Sequence, residues 1–311
     1  MKVAVTGANG FVGSNLCNYL EFKGIDVKRI VRKKVDNGFE IKNIDEFTDW
    51  SEALKDVEIV IHCLSIAHET SQKKNLEEYR RVNVALTKNL ALQAVAFGVK
   101  KFIFISSIKA GCDIDNIEKR LDSCYTKRKI DVYGISKLEA ERELKILSNN
   151  EKIDVVIIRP CLIYGPGVKA NFLNLIKLVN SGIPLPFLGI KNFRSILYVD
   201  NLSDFIYFCL KCKKASNKTF LFSDPLTLST NSLIYKIGFY LNKRIIMFYL
   251  PKKFLLFLAS LIGSKEKVKK LFDSLTIKSS STYKYLEYEP KFSTDEGIKK
   301  TINWYLNNKN K

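Results

Sequence analysis

The chain has 311 residues, 46% of them hydrophobic and 27% charged, with Lys plus Arg outnumbering Asp plus Glu by 51 to 32. That composition excludes a disordered chain and fits one large α/β unit with a smaller lobe, or two domains. The formal charge of +19 favours anionic partners, but the basic residues are scattered and no aromatic-and-basic reading motif accompanies them, which argues against nucleic-acid binding.

The opening MKVAVTG runs directly into a strand, so no cleavable signal is expected ahead of it. KVAV, residues 2 to 5, has the pattern of a short buried strand. A glycine-rich turn and a helical run ending at Gly24 follow. DVKRIVR, 26 to 32, reads as the second strand, and 58 to 63 as the next. A long helix from Leu76 to Phe97 leads through Gly98 to the strand KKFIFISS, 100 to 107. DVYGISKLEAERELKIL then makes a helix and DVVIIRPCLIYG a strand. Strands with continuous apolar runs, alternating with helices, predict a doubly wound parallel sheet covered on both faces, an α/β Rossmann-like fold.

Beyond Gly165 the alternation breaks. The expected division is a dinucleotide-binding domain over 1–165, with 195–222 returning to it, and a mostly helical substrate lobe formed by 166–194 and 223–311. SILYVDNLSDFIYFCL reads as a strand and helix returning to the main sheet. In the tail, Ser293 and Glu296 have the spacing of a capping box, and the terminal NNKNK is expected to fray. The apolar stretch from Phe254 to Gly263 is too short to span a bilayer. A buried helix of the lobe is the expectation there, and a peripheral membrane contact through Lys252 and Lys253 is the alternative. The basic clusters are short, as at Arg32-Lys33-Lys34 and 265 to 270.

Seven dispersed cysteines, an odd number, suit reduced thiols in a cytoplasm. Cys209 and Cys212 form a C-x-x-C inside an apolar helix pattern, and His62 and His68 are the only imidazoles, so no metal site is expected.

Three features carry chemistry. VTGANGFVGS sets Gly7, Gly10 and Gly13 between the first strand and first helix, with Phe11 and Val12 among them. Glycine there lets the backbone approach a pyrophosphate while the helix amides stabilise its charge. The second strand ends in Val31-Arg32-Lys33 with no carboxylate, which leans from NAD toward NADP, because an acidic side chain would bond the ribose hydroxyls and a basic one a 2′-phosphate. Tyr133 and Lys137 stand at i and i+4 of a helix, where the ammonium is expected to lower the phenol's pKa toward neutrality and make it a general acid/base. Ser107, at the end of FIFISS, supplies a third group on the side of the sheet where ligands bind.

With TGANGFVG, Asn83-Val84, FISS, YGISK, RPCLIYGPG and RSILYVDNL in this order, the whole chain resembles the extended short-chain dehydrogenase/reductases, and within them the nucleotide-sugar epimerase/dehydratase family, with UDP-glucose and UDP-N-acetylglucosamine 4-epimerases as the nearest flavour. The resemblance implies that Ser107 and Tyr133 polarise a hydroxyl or keto group and that Lys137 also holds the nicotinamide ribose. It places Asn83 near the cofactor, Asn43-Ile44 where an Asp-Ile often contacts adenine, and Asn171 and Arg194 on the substrate diphosphate. Ser107 and Lys109 complete the candidate substrate contacts. It further implies a UDP-sugar substrate, a homodimer through the helices that begin at Leu76 and Tyr133, and surface-polysaccharide biosynthesis in the cytoplasm.

The related 4,6-dehydratases carry an Asp-Glu pair after the catalytic strand, where this chain has Ile108 and Lys109, so dehydration is disfavoured. Three readings stay open: a 4-epimerase acting through a 4-keto intermediate, an NAD(P)H-dependent reductase of a 4-keto UDP-sugar, and a non-catalytic cofactor-binding protein. The resemblance favours the first, and Arg32 favours the second.

Overall fold

The computed structural model describes residues 1–33, 37–66, 75–111, 131–261, 263, 268–269 and 271–308. Lys34, His68, Cys112, Cys124, most of the 265–270 cluster and the last three residues lie outside them. In chain order the strands are β1 Lys2–Thr6, β2 Asp26–Val31, β3 Gly38–Glu40, β4 Ile59–His62, β5 Lys101–Ile105, β6 Asp154–Pro160, β7 Leu162–Tyr164, β8 Arg194–Tyr198, β9 Lys218–Phe222 and β10 Thr227–Leu228. The helices are α1 Phe11–Phe22, α2 Ser51–Leu54, α3 Leu76–Arg80, α4 Leu86–Ala96, α5 Val132–Asn150, α6 Ala170–Asn180, α7 Val199–Lys211, α8 Thr230–Tyr240, α9 Lys252–Leu261, α10 Ser280–Leu286 and α11 Thr294–Asn307.

Seven strands form a parallel sheet in the order β3-β2-β1-β4-β5-β6-β9. Side chains alternate between its faces. Val3, Val5, Ile59, Ile61, Ile103 and Ile105 join one buried cluster with residues of α1 and α7, while Ala4, Val60, Phe102 and Phe104 join another with α2, α4 and α5. Two buried faces are why these strands read as unbroken apolar runs. The chain leaves β1 toward β2 and β3, then returns to place β4 on the other side of β1. Ligands of such sheets bind at the carboxyl ends of strands beside that reversal.

The stretch DVVIIRPCLIYG divides at Cys161. Its first part is β6, and its second, β7, enters a three-stranded sheet of order β10-β8-β7. Arg194–Tyr198 belongs to that small sheet too, where the sequence reading had it returning to the main one. Helix α7, packed on α1, and strand β9, paired with β6, are the parts that go back. Asp224 fastens the junction: it accepts from Asn201 Nδ2 at 2.8 Å, the Tyr198 amide at 3.0 Å and the Tyr164 hydroxyl at 3.3 Å. Burial pushes its pKa up to about 6. The capping box forms, with Ser293 and Glu296 each bonding the other's backbone amide at the start of α11.

Candidate active site

The turn between β1 and α1 can be built only with glycine at two of its positions. Gly7 has φ +69°, and a Cβ on Gly13 would stand 2.2 Å from the Gly7 carbonyl oxygen. Gly10 caps α1 with no side-chain hydrogen bond, and no acidic residue lies in the first turn, so no carboxylate of that turn competes for these amides. The residues present therefore fit a dinucleotide pyrophosphate. Phe11 and Val12 open the helix, and Asn15 Nδ2 ties it to the Pro166 carbonyl at 3.2 Å.

At the end of β2, Val31 is buried and Arg32 exposed. Arg29, the preceding arginine, is already committed, its guanidinium bonding Glu21 at 2.6 and 2.7 Å and Asn18 at 2.7 Å. Asn43 is exposed past β3, and Ile44 is half-buried against the sheet.

The long helix expected from Leu76 to Phe97 is continuous but contains a π-helical turn over Arg81–Ala85. Such turns often occur at functional sites. This one turns Asn83 inward, 1% exposed, where Oδ1 accepts from the Ile66 amide at 2.9 Å and Nδ2 donates to Ser136 Oγ at 3.0 Å. Asn83 thereby ties the loop after β4 to α5.

Helix α5 begins at Asp131, whose Oδ1 caps the Gly134 amide at 2.8 Å and whose Oδ2 accepts from Lys109 Nζ at 2.8 Å. Tyr133 follows on its first turn. The hydroxyls of Ser107 and Ser65 lie where they favour its phenolate form. Its ring has the edge of Tyr79 at 6.3 Å and the Lys109 ammonium at 5.5 Å from its centroid. Ser107 also caps a short 3₁₀ turn by accepting from the Lys109 amide at 3.2 Å. One turn along α5, Lys137 is 1% exposed, donates to the Ile105 carbonyl at 2.9 Å and lies 4.5 Å over the Phe104 ring. A further turn on, buried Glu141 accepts from the Ser106 hydroxyl and pairs with the Arg159 guanidinium at 2.6 and 2.9 Å, fixing α5 against the ends of β5 and β6.

This geometry corrects the expected titration. Burial pushes the Tyr133 phenol up to about 12, helped by the Asp131 carboxylate, while Ser107 and Ser65 pull it back. Burial likewise pushes Lys137 down to about 8, with only partial relief from Cys63 and Glu141. Lys137 spends its proton on the Ile105 carbonyl and the Phe104 face, and the charges acting on Tyr133 in this state come from elsewhere. The i to i+4 spacing gave adjacency but not the direction in which the ammonium points.

Ser107, Tyr133, Lys137 and Asn83 thus converge at the carboxyl ends of β4 and β5, with the glycine turn alongside: a Cβ on Gly7 would touch the Leu64 amide. Lys109 stands at the edge of this group, held by Asp131. Asn171 lies in the first turn of α6 and Arg194 heads β8, both on the lobe. Ser65, Ser136 and Asp131 escaped the sequence reading. Asp131 had a local signal as a helix cap, whereas the two serines had none. His62 is a core residue, bracketed by the Thr6 and Thr87 hydroxyls at 2.7 and 3.0 Å and kept neutral by burial, its pKa pushed down to about 3. Cys209 is buried in α7 and Cys212 ends it, both as free thiols; among the described residues no cluster could hold a metal ion.

The comparisons with known proteins agree with this layout. The model of the NAD dependent epimerase/dehydratase family matches residues 3–221. A UDP-glucose 4-epimerase of Vibrio cholerae is 40% identical, over 100% of this chain and 97% of that protein. The N-acetyl-alpha-D-glucosaminyl-diphospho-ditrans,octacis-undecaprenol 4-epimerase of Escherichia coli O157:H7 is 28% identical over 80% of this chain and 75% of its own length. The solved UDP-glucuronic acid 4-epimerase from Bacillus cereus in complex with NAD has the same fold, with a TM-score of 0.74, 21% identity and 99% of each chain covered. The family match runs from β1 into β9, through the glycine turn, Asn83, Ser107, Tyr133 and Lys137, and this chain belongs to the NAD dependent epimerase/dehydratase family.

Proposed function

We propose that the chain is a nucleotide-sugar 4-epimerase, acting on a UDP-hexose or UDP-N-acetylhexosamine through a 4-keto intermediate. The observation that carries this reading is the buried phenol of Tyr133, beside Ser107 and Ser65 at the carboxyl end of β5 with Lys137 one turn away. The 40% identity to a UDP-glucose 4-epimerase supports the choice of reaction. A bound nicotinamide would supply the hydride acceptor for C4 and, in its oxidised form, a positive charge. Tyr133 takes the proton of the 4-hydroxyl and later returns it, and Ser107 holds the same oxygen. Lys137, one turn along α5, would hold the nicotinamide ribose beside Tyr133. Lys109 and the lobe residues Asn171 and Arg194 would orient the diphosphate and sugar. Dehydration lacks its acid: Ile108 is buried, and Asp131 is engaged by Lys109 and the Gly134 amide.

The test is incubation with UDP-glucose and, separately, UDP-N-acetylglucosamine without added nicotinamide, followed by NMR for the C4 epimer. Appearance of an epimer is expected. Absence of both epimers, together with NADPH-dependent consumption of a 4-keto UDP-sugar, would replace the epimerase with a reductase, the reading that the exposed Arg32 favours.

Arg32 also bears on which nicotinamide is held. With Arg29 locked to Glu21, Arg32 is the guanidinium available beside the adenosine ribose, and we infer that it admits a 2′-phosphate. Arg32→Asp is expected to shift the ratio of NADP to NAD affinity at least about tenfold toward NAD, on the scale of one charge-assisted contact. Titration of both nucleotides measures it, and an unchanged ratio would remove Arg32 from the site.

A further inference from the structure

The basic and apolar stretch that begins at Lys252 folds as α9, and its helix shows one apolar side too many. Leu255 and Ala259 are buried against the lobe. Phe254, Phe257, Leu258 and Leu261 are 50, 58, 40 and 69% exposed. Their spacing, i, i+3, i+4 and i+7, is that of a continuous stripe along one helix face. This stripe faces away from the core.

The surface continues beyond the helix. Backbone bonds from Leu185 to Ile246 at 2.9 Å, from Phe248 to Leu185 at 3.0 Å and from Leu188 to Phe248 at 3.2 Å lay residues 183–188 along 246–249. Ile183, Leu188, Ile246, Phe248 and Tyr249 are all exposed on that ribbon, and Pro251 joins it to α9. Nine of the twenty-two exposed large apolar side chains among the described residues lie on α9 and this ribbon, more than the ordinary scatter.

Charge selects the partner. Residues 225–263 contain no Asp or Glu, but include Lys236, Lys243, Arg244, Lys252 and Lys253. Lys236 is paired with Asp295 at 2.7 Å, while Lys243, Arg244 and Lys253 are exposed beside the patch. Lys252 and Lys253 occupy the first turn of α9, where the helix dipole disfavours cations, so helix stability does not account for them. A second copy of this chain would bring the same positive rim against itself, in a molecule of net charge +19. A lipid surface bearing anionic headgroups complements both the lysines and the aromatic stripe.

We propose that α9 and the 246–249 ribbon dock the protein onto an anionic phospholipid bilayer. At ten residues α9 is about 15 Å long, too short to cross and suited to lie in the plane of the headgroups with its stripe pointing inward.

The experiment is co-sedimentation of the full chain with phosphatidylcholine vesicles made with and without phosphatidylglycerol. The anionic vesicles are expected to retain the protein at least about tenfold more strongly, and the difference shrinks in high salt. Phe257→Ser combined with Leu261→Ser should weaken that binding about tenfold or more, since two exposed apolar side chains no longer leave water. Circular dichroism and the melting temperature of this variant should match the parent, because both positions are solvent-facing. Lys252→Glu combined with Lys253→Glu should remove the preference for phosphatidylglycerol. Failure of the parent chain to sediment with anionic vesicles overturns the proposal, as does a Phe257→Ser, Leu261→Ser variant that sediments like the parent. Self-association abolished by those two substitutions, without vesicle binding, would assign the face to a second copy instead.

Discussion

Tyr133→Phe is expected to lower kcat for C4 epimerisation by about a hundred- to ten-thousand-fold, the range for loss of a positioned acid/base, with KM little changed. The substitution removes one oxygen and leaves the ring where it is, against the edge of Tyr79 and beneath the Lys109 ammonium. Ser107 keeps its bond from the Lys109 amide, so the 3₁₀ turn after β5 retains its cap. The fold should therefore be indifferent, and a melting curve matching the parent separates lost chemistry from lost structure. The pH profile gives a second reading. A group that must lose its proton to act as base makes kcat/KM rise with pH through its pKa, and burial has set the Tyr133 phenol on the alkaline side of neutrality. The rising limb should be present in the parent and absent from residual Tyr133→Phe activity. A variant that retains more than about a tenth of parental kcat would remove Tyr133 from the proton-transfer role.

Much of this site was legible because its signals are local. The glycine turn announces itself by three glycines, and the structure supplies the reason for two of them in the positive φ of Gly7 and in its carbonyl, which crowds Gly13. The strand pattern was equally clear at the centre of the sheet, where β1, β4 and β5 place buried side chains on both faces. Three features were not legible, each for a physical reason. The burial of Lys137 is set by Phe104 and Ile105, more than thirty residues earlier in the chain, and no helical spacing encodes what lies beneath a helix. The turn at Asn83 interrupts an otherwise helical pattern without glycine or proline to mark it. Strand β8 has the same apolar character whether it joins the large sheet or the small one. Its choice is made by pairing with β7 and β10, which are only three and two residues long. A buried helix of the lobe was expected over Phe254 to Gly263, yet that stretch is apolar nearly all round, so the pattern could not say which side stays in water.

Lys137→Met should separate function from stability at one buried position. The ammonium is held at a pKa of about 8 against 10.5 for the free side chain, because burial removes it from water faster than the Ile105 carbonyl and nearby Glu141 compensate. At neutral pH the folded chain keeps that proton at a penalty on the order of 3 kcal/mol. Methionine has similar length and no charge, so the penalty disappears, while the orphaned Ile105 carbonyl and imperfect packing take back about 1–3 kcal/mol. The net change at pH 7 is thus a small difference, but its pH dependence is not. Between pH 8 and 10.5 the unfolded parent binds more protons at this site than the folded parent, so parental stability rises with pH there, and the methionine variant lacks this contribution. The stability of Lys137→Met relative to the parent, from urea unfolding of nucleotide-free protein, is therefore expected to fall by about 3 kcal/mol from pH 7 to pH 10.5. Its turnover should be lost by at least about a hundredfold throughout, since the ammonium that would hold the nicotinamide ribose beside Tyr133 is gone. A stability difference flat with pH would mean that Lys137 titrates as a solvated lysine. Parental turnover in the variant would mean that its charge serves the fold and not the reaction.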